Sequence, residues 1–174
     1  MHLVLLCLVM AVLFLIAAQD FQYRKIPVWM LIILIIINSF RNYLMIGWEA
    51  LVYYTISNML AGLSLFMLVW LYYVAKTGKI INILDSQIGT GDVILIMILG
   101  TGFSTLNFLL FLVSCFLFTL FLTLIKKMIY PENNQTIPLA GYLSLWYLLI
   151  LFIIETFPET LLFKDTTLTD FLYL

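Results

Sequence analysis

The chain has 174 residues, of which 65% are hydrophobic and 10% charged, and its formal net charge is -1. A soluble domain carries about 25% charged residues, so this composition excludes a soluble globular fold and makes lipid the solvent for most of the surface. No basic excess exists to collect phosphates, which excludes a nucleic-acid partner.

Residues 1–18 are almost wholly apolar, and the first Lys or Arg is Arg24. A cleaved signal peptide needs a positive n-region, so this run is read as a retained helix over roughly 1–19. Asp20 to Pro27 is a short polar link. Pro27 lacks an N–H and suits the first turn of the next helix, expected at 28–44. Trp29 and Tyr43 sit near its two interfaces, and Arg41 and Asn42 mark its far end. A third run, 50–75, contains Ser57, Asn58, Gly62 and Ser64, residue types that serve helix–helix packing in membranes. Residues 77–90 read as a mixed loop holding Asp85, with a short interfacial helix at 80–84. Gly89-Thr90-Gly91-Asp92 opens a short fourth run, 92–100. A tight turn at Thr101-Gly102 leads to a fifth, 103–125, closed by Lys126 and Lys127. After the polar loop 131–135, Ile137-Pro138-Leu139-Ala140-Gly141 leads into a sixth, 138–155, and 156–174 is an acidic tail. The expected fold is all-α: one polytopic membrane domain, 1–174, of about six transmembrane helices, since each crossing needs about 20 residues.

Charge gives these crossings a direction. With both termini outside, the cytoplasmic links hold Arg24, Lys25, Lys76, Lys79, Lys126 and Lys127, and the outer side holds only Arg41 and Lys164. That division obeys the positive-inside rule. The same orientation gathers Asp20, Asp85, Asp92 and the Pro138 loop on the cytoplasmic face.

Acids at the mouths of apolar helices are costly and mark function. Two carboxylates close together cannot both ionise, so one stays protonated while the other acts as base. Such a pair activates water without a metal or cofactor, and cuts peptides. Gly89 and Gly91 remove side-chain bulk beside Asp92 and allow close backbone approach. Each acid also has a plainer reading. Asp92 can cap its helix, Asp20 can pair with Arg24, and Asp85 can be a solvated loop acid. His2 is the only histidine, far from these acids in the sequence, so Ser-His and Cys-His mechanisms have no base and a His-type zinc site has too few ligands. Cys7 and Cys115 lie in apolar runs and form no Cys-x-x-Cys pattern. A proton-coupled transporter is a rival class, but no chain of acids crosses the bilayer. A non-catalytic assembly factor for pili or secretion is another.

Gly89-Thr90-Gly91-Asp92 matches in full the Gly-x-Gly-Asp motif of the prepilin peptidases, aspartyl proteases of the membrane. Asp20 with Arg24 and Ile26-Pro27 resembles that family's other signature, and Ile137-Pro138 with Gly141 resembles a third feature before the last helix. The three fall in family order over roughly residues 1–155. The resemblance implies that Asp20 and Asp92 form a catalytic dyad, with Gly89, Gly91, Arg24, Pro27, Pro138 and Gly141 in support. It implies a prepilin or pseudopilin partner, whose short basic leader is cut at the cytoplasmic face of the inner membrane, with Asp85 placed to attract that leader. The family often has a lysine two residues after the motif's Asp; here that residue is Ile94, which puts local charge pairing in doubt. The paired-cysteine methylation domain of larger members has no counterpart, so the chain resembles the short, peptidase-only forms.

Overall fold

The computed structural model describes residues 2–79, 89–129 and 137–155. Asp85, the helix expected at 80–84 and the tail from 156 lie outside the described residues. Every regular element among them is an α-helix: α1 (His2–Tyr23), α2 (Val28–Thr77), α3 (Thr90–Gly100), α4 (Thr105–Ile129) and α5 (Leu139–Glu155). Of these, α1, α2 and α4 are long and apolar enough to cross a membrane, while α3 and α5 are shorter apolar helices.

The buried stripe of α1 is Leu6, Val9, Leu13, Ile16 and Asp20. Steps of three and four keep one face toward neighbours, and α1 packs on α5 and α2. Asp20 takes the next position on that stripe after Ile16. The helix therefore continues past the expected end at residue 19 and carries the carboxylate inward. It stops at Arg24, which adopts a left-handed conformation (φ 55°) and donates its N–H to the Asp20 carbonyl at 3.0 Å. A left-handed residue is a common way to end a helix.

The link expected after residue 44 is a break inside α2. Gly47 has φ 80° and ψ 173°, a backbone conformation that glycine alone adopts without strain. Hydrogen bonds show how far the chain folds there. Asn42 Nδ2 donates to the Thr101 carbonyl at 3.0 Å, and Asn58 Nδ2 donates to the adjacent Gly100 carbonyl at 2.7 Å. In a straight helix these asparagines would stand about 24 Å apart. The two limbs, 28–46 and 48–77, thus fold toward each other around α3. Asn38 in the first limb reaches Thr101, while Ile26 just before it would meet a Cβ at Gly91, so this limb runs parallel to α3. In the second, Asn58 meets Gly100 and Gly62 packs on Met97, so it runs antiparallel.

Helix α3 has 11 residues, a rise of about 16 Å against an apolar core of about 30 Å. The turn that follows it, 101–104, is thus irregular backbone at depth, which a membrane tolerates only where protein groups satisfy it. Here they do. Asn38 Nδ2 donates to Thr101 Oγ1 at 2.9 Å, Asn42 to the Thr101 carbonyl, and Asn58 to the carbonyls of both Gly100 and Phe103. Asn58→Leu should remove the Asn58 donor from the Phe103 carbonyl and leave the Gly100 carbonyl only the long bond from Phe103 N–H, 3.4 Å, lowering stability by about 1–3 kcal/mol; thermal unfolding in detergent measures it, and an unchanged midpoint would contradict this account of the turn. Ser57 accepts from Thr105, so the packing expected of Ser57, Asn58 and Gly62 is what the structure shows. Ser64 instead is exposed and bonds back to its own helix at Ala61. Phe103, Phe111 and Tyr147 form an aromatic cluster joining the turn, α4 and α5, and Trp146 Nε1 donates to Ser114.

Candidate active site

The end of α1, the starts of α3 and α5, and the link at 24–27 meet at one end of the bundle. At the start of α5, Pro138 has no N–H to offer. Tyr142 closes the first helical turn by donating to the Pro138 carbonyl at 3.2 Å. The amides of Ala140 and Gly141 lie inside that turn, where helical N–H groups have no partner within the helix. Each finds a carboxylate. Gly141 N–H donates to Asp20 Oδ2 at 2.7 Å, and the Ala140 N–H donates to Asp92. Two consecutive amides, one for each acid, hold the two carboxyl groups side by side at the positive end of a helix.

Asp92 has a second donor, the Gly89 N–H. Gly89 is the residue just before α3, so an acid three residues on reaches back to it as in a capping box. Capping and pairing, which the sequence poses as alternatives for Asp92, occur together. A side chain at either glycine would crowd a neighbour. A Cβ on Gly89 would lie 3.0 Å from Asp92 Oδ2, and one on Gly91 would lie 3.3 Å from the Ile26 side chain. A Cβ on Gly141 would meet the Phe21 ring at 3.1 Å and Asp20 Oδ2 at 3.2 Å. Phe21 also stacks edge-on against Tyr142, with ring centroids 5.3 Å apart.

Electrostatics separates the two acids. Asp20 is 5% exposed with the Arg24 charge acting on it. Asp92 stands in the first turn of α3, outside the three spanning helices. Burial, and then the neighbouring Asp20 carboxylate, push it up from 3.8 to about 6, against the two amide hydrogen bonds. A group whose folded pKa is raised stabilises the fold below its unfolded value and loses that contribution as pH rises through the folded one. The melting temperature in detergent should therefore fall between roughly pH 4 and pH 7, and Asp92→Asn should flatten that dependence. An unchanged pH profile in the variant would contradict the raised value.

The structure thus brings together Asp20, Asp92, Gly89, Gly91, Pro138 and Gly141, with Arg24 beside Asp20 and Pro27 at the start of α2. Sequence reasoning missed the Ala140 amide; backbone donors leave no trace in side-chain identity, and only its place in the first turn after Pro138 could have revealed it. Among the described residues no three His, Cys, Asp or Glu side chains gather as a metal site. No curated protein and no solved structure matches the chain. The type IV leader peptidase family matches residues 7–124, a stretch that holds both aspartates and covers more than half of the sequence. The chain therefore belongs to the type IV leader peptidase family.

Proposed function

We propose that this protein is a membrane-embedded aspartyl endopeptidase that removes the basic N-terminal leader of type IV prepilin-like proteins at the cytoplasmic face of the inner membrane. The observation that carries the reading is the shared start of α5, whose consecutive amides hold Asp20 and Asp92 as a pair. In such a pair, one carboxylate takes a proton from water as the water attacks the scissile carbonyl. The protonated partner polarises that carbonyl and later returns a proton to the leaving amine. Atoms balance as hydrolysis, with no covalent intermediate. Asp92, favoured in its protonated form, suits the acid, and Asp20 the base.

In this reading both termini lie outside, and the basic residues of the 24–25 link and of the ends of α2 and α4 face the cytoplasm with the dyad. An apolar groove of about 720 Å³ lies between the two limbs of α2 and α3. It begins at Val28 and Val93, beside Asp92, and gives the substrate's apolar segment a place against the site. In this reading Asp85 would draw the basic leader. The test is co-expression with a prepilin-like protein from the same source, with the product's N-terminus read by mass spectrometry. A leader shortened only when this chain is present supports the reading. Full-length substrate, bound but uncut, would favour an assembly factor instead.

A further inference from the structure

The polar cluster around the 101–104 turn contains a charge that has no counter-charge among the described residues. Arg41 is 1% exposed, and its Nε and Nη1 have no hydrogen-bond partner. A guanidinium does not deprotonate in proteins, so the charge persists at depth. Asp20 and Asp92 lie at the other end of the first limb of α2, about 20 Å along it from Arg41 by helical rise. Glu49, just beyond the Gly47 break, is exposed. No other carboxylate is among the described side chains.

Neighbouring groups provide a cradle. The Tyr147 hydroxyl stands beside Arg41 and Asn38, on a residue that is fully buried, and has no aligned partner of its own. It backs onto Gly102, where a Cβ would collide with it. The Ser104 hydroxyl, in the same turn, is also buried without a partner. Asn38 and Asn42 direct their Nδ2 donors at Thr101. Their Oδ1 atoms, left over, are neutral acceptors that carry no countercharge. Water completes hydrogen bonds at such a place but leaves the net charge unbalanced, and a buried unpaired charge is far more costly than a buried unpaired dipole.

We infer that Arg41 and Tyr147 form a binding site for a small monovalent inorganic anion of the halide class, which fastens the 101–104 turn between α2 and α5. The anion accepts from Arg41 Nε–H and from the Tyr147 hydroxyl, and neutralises the guanidinium. The site is separate from the aspartate pair and independent of the peptidase reading. It acts on the stability of the bundle.

The purified full chain in detergent, dialysed into sodium gluconate, is titrated with sodium chloride or bromide at constant ionic strength, with the thermal midpoint as readout. A saturable rise is expected with both halides. Arg41→Gln should abolish it, and Tyr147→Phe should move half-saturation to about fivefold higher chloride, the loss of roughly one hydrogen bond. No halide-specific rise in the wild-type chain, as for a site that holds only water, overturns the proposal. So does the same rise in Arg41→Gln. If Arg41→Gln does not fold, Tyr147→Phe decides, and an unshifted titration there overturns the proposal.

Discussion

Asp92→Asn is expected to lower leader cleavage by at least about 10³-fold, since it removes the proton that a general acid would supply, while the protein still inserts and folds. Asp20→Asn should do the same through loss of the base. The double variant should be scarcely worse than either single one, because groups that act as a unit are not additive. Stability should move the other way for Asp92. At neutral pH its ionised form is disfavoured by burial and by the Asp20 charge, so the neutral amide should melt at a higher temperature than the wild type. A gain in stability with a loss of activity is the usual mark of a site held under strain for function. A merely structural Asp92 would give the opposite stability result. Quantitative cleavage in membranes, beside thermal unfolding of the purified variants, reads both.

Gly141→Val is expected to reduce cleavage by about 10²-fold, the scale of a misplaced reacting group. The added carbons would press on Phe21 and on the Asp20 carboxylate from 3.1 and 3.2 Å, displacing Asp20 from the amide that orients it. Gly141→Ala, with only a Cβ, should lose less. Because the Gly141 side chain would touch neither leader nor water in the proposed reaction, the loss should appear in kcat with KM little changed. Equal activity in wild type and Gly141→Val would show that the start of α5 does not position the pair.

The aspartates were legible in sequence because a carboxylate at the end of an apolar run is rare and expensive. Two of them, with glycines at 89 and 91, stood out without any knowledge of packing. Pro138 and Gly141 were visible only through family resemblance; nothing in their local pattern says that a helix start should point at two acids 121 and 48 residues earlier. Helix existence followed from hydropathy, but the break at Gly47 did not. A glycine between apolar runs reads equally as a loop residue, and its positive φ is set by where the two limbs of α2 must pack. In sequence, Arg41 and Asn42 read as the polar end of a helix. Both are buried instead: the irregular backbone at 101–104 takes a donor from Asn42, 59 residues earlier, a requirement that local periodicity does not carry.

In the proposed reaction Asp20 and Asp92, joined through the start of α5, hydrolyse a peptide bond. The most direct measurement reconstitutes the purified chain in liposomes with a purified prepilin-like substrate and no other protein, and reads both cleavage products by mass spectrometry. Wild type should release the intact leader and leave the mature N-terminus, while Asp20→Asn and Asp92→Asn, inserted and folded to the same extent, should release none. Leader release by either variant at the wild-type rate would contradict the account.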